Sequence, residues 1–324
     1  MRAPAEQPAI QAVDLVKEFD GKRAVDGVSF TVPPGRVLGL LGPNGAGKTT
    51  TVRMMTTLLR PTSGTARIAG YDVVTQPDEV RRRMGVIAQS TTVDEILSGR
   101  ENLRMIGSLY GITGKRLAAQ VDALLAQFLL TDAADRAVKT YSGGMRRRLD
   151  LAAGLLASPP VLFLDEPTTG LDPRSRLELW DVLRELVRGG TTLLLTTQYL
   201  EEVDRLADEI VVMDQGRIVA TGTPIELKDR AGRSALEVIV ANPGDVAAAA
   251  ELIRTQRGEV FRDEGTGRLT APADGLDDLI RLATALAAQG IAVDDIALAR
   301  PTLDDVFLSL TGHRAEPVAA QAAE

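Results

Sequence analysis

A glycine-rich segment at residues 42–49 is the first part of this sequence whose residue types and spacing indicate chemistry. It reads GPNGAGKT and matches the pattern G-x-x-x-x-G-K-[ST]. In such a loop several backbone N–H groups point at one anion, the lysine reaches the β- and γ-phosphates, and the hydroxyl ligates Mg²⁺. The alternative, a glycine-rich turn with an incidental lysine, is disfavoured by the apolar run before the segment and the helix-like residues after it. The predicted nucleotide-binding residues are Gly42, Pro43, Asn44, Gly45, Ala46, Gly47, Lys48, Thr49 and Thr50, with Lys48 also acting in catalysis.

Two adjacent acids, Asp165 and Glu166, follow the apolar run Val161–Leu164 and form the second candidate site. A carboxylate at the C-terminal end of a buried strand faces the crevice where α/β sheets bind ligands. We expect Asp165 to hold Mg²⁺ opposite Thr49, and Glu166 to orient and polarise an attacking water. The alternative is a pair of surface acids at a strand end, which the motif-like residues 167–172 disfavour.

These residues require a buried sheet to position them, and the chain supplies near-continuous apolar runs at Val37–Leu41, Val161–Leu164 and Thr191–Thr197. Such runs are typical of parallel strands that are covered on both faces. Residues 1–230 are therefore predicted to form one α/β nucleotide-binding domain with a helical subdomain at about 93–156. The other elements predicted within it are two strands around Asp20-Gly21, a helix at 47–58, strands at 64–69 and 86–88, and a hairpin at 210–220. The stretch 93–130 is mostly helical in pattern, and 177–187 has helical spacing with Pro173 as a possible helix start.

A second unit is predicted at 231–312. Its pattern gives strand 236–240, helix 246–255, strands 259–262 and 268–271, helix 276–289, strand 291–298 and helix 303–310. This order suggests a small α+β domain with a ferredoxin-like fold. Residues 313–324 are alanine-rich and polar, and we expect a disordered tail.

Composition limits the partners of this chain of 324 residues. A formal net charge of −7 argues against nucleic acid as a partner, and the absence of cysteine excludes disulfides and thiol chemistry. Local basic runs at 81–83 and 146–148 are expected to be solvated helix faces. No apolar run approaches the roughly 18–20 residues that a membrane-spanning helix needs, so we expect a soluble chain whose membrane role would require a partner.

The segment Tyr-Ser-Gly-Gly-Met at 141–145 is similar to the L-S-G-G-Q signature of ABC (ATP-binding cassette) proteins, and it lies upstream of the acid pair with a helix between them. On these motifs together, residues 9–228 resemble the ATP-binding subunit of an ABC transporter, a P-loop ATPase that uses ATP and Mg²⁺. The resemblance implies a head-to-tail dimer in which Ser142, Gly143 and Gly144 close over the γ-phosphate of ATP bound by a second copy.

The same resemblance implies roles for single residues. Phe19 stands where the family places an aromatic residue against adenine, with a core aromatic at a strand end as the alternative. Gln89 matches the glutamine that contacts Mg²⁺ and water and links to the membrane subunit, and it counts among the catalytic and metal residues. Asp172 matches the aspartate that crosses the dimer interface.

Gln198 is a departure from the family pattern, which usually has a histidine at this position. Glutamine can donate an amide hydrogen bond to a γ-phosphate oxygen but cannot take up a proton charge. Two interpretations follow: a slow, degenerate ATPase, or a working enzyme that relies on Glu166 and uses Gln198 as a hydrogen-bond donor. We favour the second, and expect activity without a histidine-type titration near pH ~6.5.

Residues 141–150, 196–200 and 300–308 also resemble the daunorubicin/doxorubicin-resistance type of ABC exporter ATPase. That type implies a peripheral protein on the cytoplasmic side of the cell membrane. It also implies a separate transmembrane permease that exports a hydrophobic drug, antibiotic or lipid. The alternatives are a soluble ABC ATPase not coupled to a permease and a module whose ATPase is vestigial. The sequence does not identify the cargo.

Overall fold

The computed structural model describes residues 7–87, 92–230, 234–263, 267–299 and 302–311. The chain forms two compact units, and the second begins at Ile225. The predicted boundary after residue 230 falls at the end of the helix that spans this division, and the predicted domain bounds stay a prediction. The predicted tail at 313–324 lies outside the described residues.

The first unit contains most of the elements. In chain order they are β1 (Ile10–Phe19), β2 (Lys22–Val32), β3 (Val37–Leu41), α1 (Lys48–Met55), β4 (Ser63–Ile68), β5 (Tyr71–Asp72), α2 (Pro77–Arg81), β6 (Met84–Ile87), α3 (Gly99–Leu109), α4 (Gly114–Gln127), α5 (Gly143–Gly154), β7 (Val161–Asp165), α6 (Pro173–Arg188), β8 (Thr192–Thr197), α7 (Leu200–Leu206), β9 (Glu209–Asp214) and β10 (Arg217–Gly222), and α8 (Pro224–Arg230) begins at the division.

The described strands of this unit form two sheets. The central sheet has the order β10-β9-β3-β8-β7-β6 and is parallel except at β10, and the other sheet is antiparallel with the order β2-β1-β4-β5. The residues of β3 and the first four of β7 are all buried, which explains their near-continuous apolar sequence. Because β3, β8 and β7 are neighbours and parallel, the segments that follow them meet at one edge of the sheet.

The helical subdomain contains α3, α4 and α5. The stretch at 93–130, predicted to be mostly helical, contains α3 and α4, and the break between them includes Gly111, whose φ of 76° lies in the left-handed region. The start of α3 is fixed by a reciprocal cap, in which Ser98 Oγ accepts from the Glu101 amide and the Glu101 carboxylate accepts from the Ser98 amide.

The second unit has its own sheet and core. It consists of β11 (Ser234–Val240), α9 (Val246–Arg257), β12 (Phe261–Arg262), β13 (Leu269–Ala273), α10 (Leu276–Ala288), β14 (Val293–Ala299) and α11 (Leu303–Thr311). Its described strands are antiparallel in the order β12-β13-β11-β14, and buried side chains such as Leu236, Leu269 and Leu282 form its core. The predicted order of elements is confirmed, and the ferredoxin-like assignment stays a prediction. Among the described residues, no helix is both long and apolar enough to cross a bilayer.

Candidate functional site

The glycine-rich loop connects β3 to α1, and its backbone admits only glycine at several positions. Gly45 and Gly47 have φ values of 84° and 99°. A Cβ atom on Gly47 would lie 2.5 Å from the Ala24 carbonyl oxygen, and one on Gly42 would lie 2.3 Å from the Met213 carbonyl oxygen. The loop can therefore curl tightly at the N-terminus of α1, where backbone N–H groups and the helix dipole attract an anion.

Lys48 is folded back over this loop. Its Nζ donates to the carbonyl oxygens of Gly42 at 2.7 Å and Pro43 at 3.0 Å, and the residue is only 5% exposed. Burial lowers the pKa of Lys48, while the charges of Glu166 and Asp165 act in the opposite direction. The structure thus places a partly desolvated cation beside the two acids that the sequence singled out.

Thr49 and Asp165 face each other across the site. Thr49 Oγ1 donates to Asp165 Oδ1 at 3.2 Å, and the Thr196 hydroxyl donates to the same carboxylate oxygen. Oxygen donors are the ligands that Mg²⁺ prefers, and the ion usually takes only one or two of them from protein. Thr49 and Asp165 therefore fit a Mg²⁺ site, and the third predicted ligand, Gln89, lies outside the described residues.

Glu166 is held in a strained conformation at the end of β7. Its φ is 48°, a left-handed value that costs a residue with a side chain about 1–3 kcal/mol. The Glu166 amide donates to the Thr196 carbonyl at 3.0 Å, and Thr169 Oγ1 donates to Glu166 Oε2 at 3.2 Å. The half-buried carboxylate is therefore fixed beside Asp165, on the segment that leaves the sheet edge.

Gln198 and Phe19 lie at two other borders of the site. Gln198 follows β8, in which Thr196 pairs with Asp165 of β7, so its half-buried side chain starts from the same sheet edge. The Phe19 ring is 46% exposed and lines a pocket of about 560 Å³ together with Gly45 and Gly216. This exposure disfavours the core-aromatic alternative for Phe19.

The S-G-G segment begins α5 and lies against the start of α6. Ser142 is the N-cap of α5 and accepts from the Met145 amide at 3.2 Å. A Cβ atom on Gly144 would lie 2.5 Å from Ser175 Oγ, and that hydroxyl donates to Asp172 Oδ2 at 2.6 Å. Hydrogen bonds from Ser175 lower the pKa of Asp172, the N-cap of α6. Ser175 thus connects two predicted binding elements, because it lies against Gly144 and donates to Asp172.

Sequence reasoning missed the charged groups buried behind the site. The expectation that residues 146–148 form a solvated face is wrong for Arg147, which is 6% exposed. Arg147 lies on the inward face of α5, three residues before Asp150, which is 2% exposed. The opposite charges of Arg147 and Asp150, three residues apart on one helix face, were the sequence signal that could have indicated this pair. Glu202 on α7 is also fully buried, and no comparable pattern in the sequence marks it.

A phosphate-binding loop, a strand-end acid pair and an S-G-G helix start on one α/β scaffold define an ATPase of the ABC class. The family model described as "ABC transporter" matches residues 25–169. Curated relatives include the daunorubicin resistance ATP-binding protein DrrA2 of Streptomyces coeruleorubidus, which is 52% identical over 97% of this chain and 98% of its own length.

The daunorubicin/doxorubicin resistance ATP-binding protein DrrA of Streptomyces peucetius is 50% identical over 95% of this chain and 94% of its own. A solved structure described as the ATP-binding subunit of an ABC transporter matches 68% of this chain and 92% of its own at 29% identity and a TM-score of 0.62. This chain belongs to the ATP-binding subunits of ABC transporters, and its first unit binds and hydrolyses ATP.

Proposed function

We propose that two copies of this chain bind two ATP molecules head to tail and that hydrolysis drives a separate transmembrane permease, which exports a hydrophobic drug, antibiotic or lipid. The observation that carries this proposal is the open start of α5. Ser142 and Gly143 are exposed, and a Cβ atom on Gly143 would meet nothing within 4 Å. A hydroxyl and backbone N–H groups at a helix N-terminus are thus free to receive the γ-phosphate held by a partner copy.

Within one copy, the loop and its lysine hold the triphosphate. The Lys48 ammonium exchanges its two carbonyl acceptors for β- and γ-phosphate oxygens, which gain more from a positive charge than a carbonyl does. Thr49 and Asp165 would hold Mg²⁺, which when bound supplies positive charge to the phosphate oxygens. Phe19 borders the pocket beside Gly45, where its ring can stack on the base.

Hydrolysis depends on Glu166 and Gln198. The fixed Glu166 carboxylate orients a water toward the γ-phosphate and accepts its proton as the new bond forms. Gln198 donates its amide to a γ-phosphate oxygen and holds that group in line. Because each γ-phosphate contacts both copies, its release removes the bridge between them and the dimer opens. Asp172, at the start of α6, lies next to the segment that forms this interface.

Exposed apolar side chains on the helical subdomain support docking of a permease. Ile96 is 81% exposed, Leu109 is 82% exposed, and Met105 and Tyr110 are also exposed. All four flank or belong to α3, which follows the segment that contains Gln89. Met105 and Leu109 lie one turn apart on α3 and Tyr110 follows them, and exposed apolar residues that cluster in this way are typical of an interaction surface. Docking there would place the chain at the cytoplasmic face of the membrane, and the names of the relatives support a drug as cargo.

The nucleotide part of the proposal is tested with two substitutions. Lys48→Ala is expected to abolish Mg·ATP turnover, because no other described cation lies on the loop, while Lys115→Ala at an exposed position of α4 serves as the control. Glu166→Gln is expected to keep ATP binding, lose turnover by about 10²-fold or more, and form an ATP-bound dimer in size-exclusion chromatography. Turnover by Glu166→Gln at the wild-type rate would remove Glu166 from the mechanism.

The transport part is tested by expressing the chain together with any membrane protein that its neighbouring genes encode. We expect the two to purify together from detergent, and expect substitution of Ile96 and Leu109 by serine to separate them without loss of ATP hydrolysis. Full ATP-dependent dimerisation with no membrane partner in any preparation would favour a soluble ABC ATPase instead.

A further inference from the structure

Arg147 reaches the backbone on both sides of the Glu166 carbonyl. Its Nε donates to the Pro167 carbonyl oxygen at 2.8 Å, and its Nη2 lies 3.4 Å from the carbonyl oxygens of Asp165 and Glu166. A planar guanidinium can serve several acceptors at once, which an ammonium group on a flexible stem cannot do with the same geometry. One buried side chain of α5 therefore contacts three consecutive peptide groups around the catalytic carboxylate.

Asp150 connects this arginine to the surface. Arg147 Nη1 lies 3.4 Å from Asp150 Oδ2, and the other oxygen, Oδ1, accepts from the Thr92 amide at 2.9 Å and the Thr92 hydroxyl at 2.6 Å. Thr92 is exposed and lies three residues after Gln89. The contacts thus run from an exposed residue beside the proposed permease-facing segment to the backbone of Glu166.

Burial makes this arrangement costly unless every charge is satisfied. Burial lowers the pKa of Arg147, and the charges of Asp150, Glu202 and Asp165 oppose that effect. Breaking one partner of a buried ion pair leaves an uncompensated charge, whereas neutralising both partners is often tolerated. The presence of this ion pair is therefore weak evidence that it stabilises the fold. The contacts of Arg147 with residues 165–167 suggest a second role.

The conformation of Glu166 indicates what the second role of Arg147 is. Its left-handed φ of 48° persists only if the surrounding groups hold it. Thr196 binds the Glu166 amide from β8, and Arg147 binds the carbonyl groups that follow. One anchor thus holds the amide end of Glu166 and the other its carbonyl end, so we expect a shift of Arg147 to change the direction of the carboxylate.

We propose that Arg147 is a positioning residue for Glu166, and that Asp150 links it to Thr92 so that displacement of Thr92 alters the rate of hydrolysis. This inference rests on the proposed function of Glu166 as the catalytic carboxylate. It adds a route by which a docked partner, acting through Thr92, controls that carboxylate.

The first test is Arg147→Lys in the full chain, with Arg146→Lys as the matched control. Arg146 is the preceding arginine of the same helix, and it pairs with Glu95 at 3.0 Å at the surface. We expect Arg147→Lys to lower kcat on the order of 10- to 100-fold, because a small displacement of a catalytic group has that effect. KM for ATP should stay within about twofold, because ATP binding does not involve Arg147.

The readout that separates positioning from general damage is the ATP-bound dimer. Arg147→Lys should accumulate as a dimer in the presence of ATP, as Glu166→Gln does, because binding and closure remain while hydrolysis is slow. A loss of dimer or a rise in KM parallel to the loss of kcat would show a structural role and overturn the proposal. So would a kcat equal to that of Arg146→Lys.

Since a lone buried charge can prevent folding, the double variant Arg147→Gln/Asp150→Asn provides an independent test. It removes both charges, and the side-chain oxygen of the substituted asparagine can still accept from Thr92. We expect circular dichroism and a thermal midpoint close to wild type, with the same loss of kcat at unchanged KM. Wild-type kcat in this folded variant would overturn the proposal.

Substitutions of Thr92 test its link to Arg147 through Asp150. Thr92→Val removes the hydroxyl donor to Asp150, and Thr92→Ser keeps it. We expect Thr92→Val to lower kcat in the same direction as Arg147→Lys and by less, with Thr92→Ser at the wild-type value. Equal rates for the two variants would remove Thr92 from the proposal. If Glu166→Gln itself kept full turnover, the proposed function would fail; if only Arg147→Lys did, the positioning role alone would fail.

Discussion

Three carboxylates in and behind the candidate site have different surroundings. Asp165 accepts from two threonine hydroxyls, and Glu166 is half-buried beside Lys48. Glu202 is fully buried, and burial raises its pKa from the ordinary 4.5 to about 7, although the hydroxyls of Thr197 and Thr168 and the Trp180 indole oppose the shift. Its Oε2 atom is buried without a well-formed hydrogen bond in the described structure. Glu202 is therefore a group that titrates near neutral pH.

Glu202 should make folding stability depend on pH. Since its carboxyl ionises near 4.5 when unfolded and about 7 when folded, the folded state binds more protons between these values. Its contribution is full below pH 4.5 and is lost as pH rises through about 7, by roughly 3 kcal/mol at most. We expect Glu202→Gln to flatten this loss in urea unfolding between about pH 5 and 8.5, with exposed Glu201→Gln as control. Parallel pH curves for the two variants would contradict the assignment.

The same residue bears on the expected absence of a histidine-type titration. Glu202 lies close to Thr197, which precedes Gln198, so its ionisation can change activity near neutral pH without any histidine. The pH dependence of activity should therefore be measured in Glu202→Gln, where Glu202 cannot titrate. We expect a flat profile near pH ~6.5 in that variant, because Gln198 does not titrate as a histidine would. A steep profile that persists in Glu202→Gln would contradict the expectation.

Among the elements, the strands that are buried on both faces of the sheet are those whose bounds the sequence predicts best. Val37–Leu41 and Thr192–Thr197 lie within one residue of their predicted positions, because such strands show continuous apolar runs. Short elements such as β5 and α2 carry too few residues to show a period. The S-G-G segment marked the start of α5, but the burial of Arg147 depends on how α5 packs, which no local pattern gives.

The packing of α5 on α6 gives a matched pair of substitutions. In Gly144→Ala the new Cβ atom would approach Ser175 Oγ to 2.5 Å and Ser175 Cβ to 3.0 Å. Ser175 must then rotate and lose its hydrogen bond to Asp172, or the two helix starts must separate. We expect a loss of about 1–3 kcal/mol in the free energy of unfolding. Gly143→Ala meets nothing within 4 Å and should stay within about 1 kcal/mol of wild type. Urea unfolding of both proteins measures the difference, and equal values would contradict the contact.

At the scale of the molecule, each unit has a hydrophobic core of its own. The sequence predicts this division from a change in pattern near residue 230, since an α/β series gives way to a second series of strands and helices. It could not place the boundary within α8, because a helix at a boundary carries the same pattern on either side.

Asp278 should affect the stability of the second unit alone. The Arg257 guanidinium on α9, the Asp274 amide and Arg281 hold the pKa of this carboxyl well below its usual range. Its contribution to stability is therefore present above pH ~4 and lost as pH falls below it. We expect Asp278→Asn to lower the melting transition of the second unit in calorimetry while the ATP-dependent transition stays in place. Exposed Asp277→Asn is the control, and a shift of the ATP-dependent transition instead would count against independent cores.

The single tryptophan of this chain lies against the buried Glu202 carboxyl. Trp180 is 2% exposed, and its indole N–H donates to Glu202 Oε1 at 3.2 Å. Glu202 lies four residues after Gln198 along the chain. Because ionisation of that carboxyl changes the electric field on the indole ring, we expect intrinsic tryptophan emission to follow its protonation in the unmodified protein, with no dye and no engineered label.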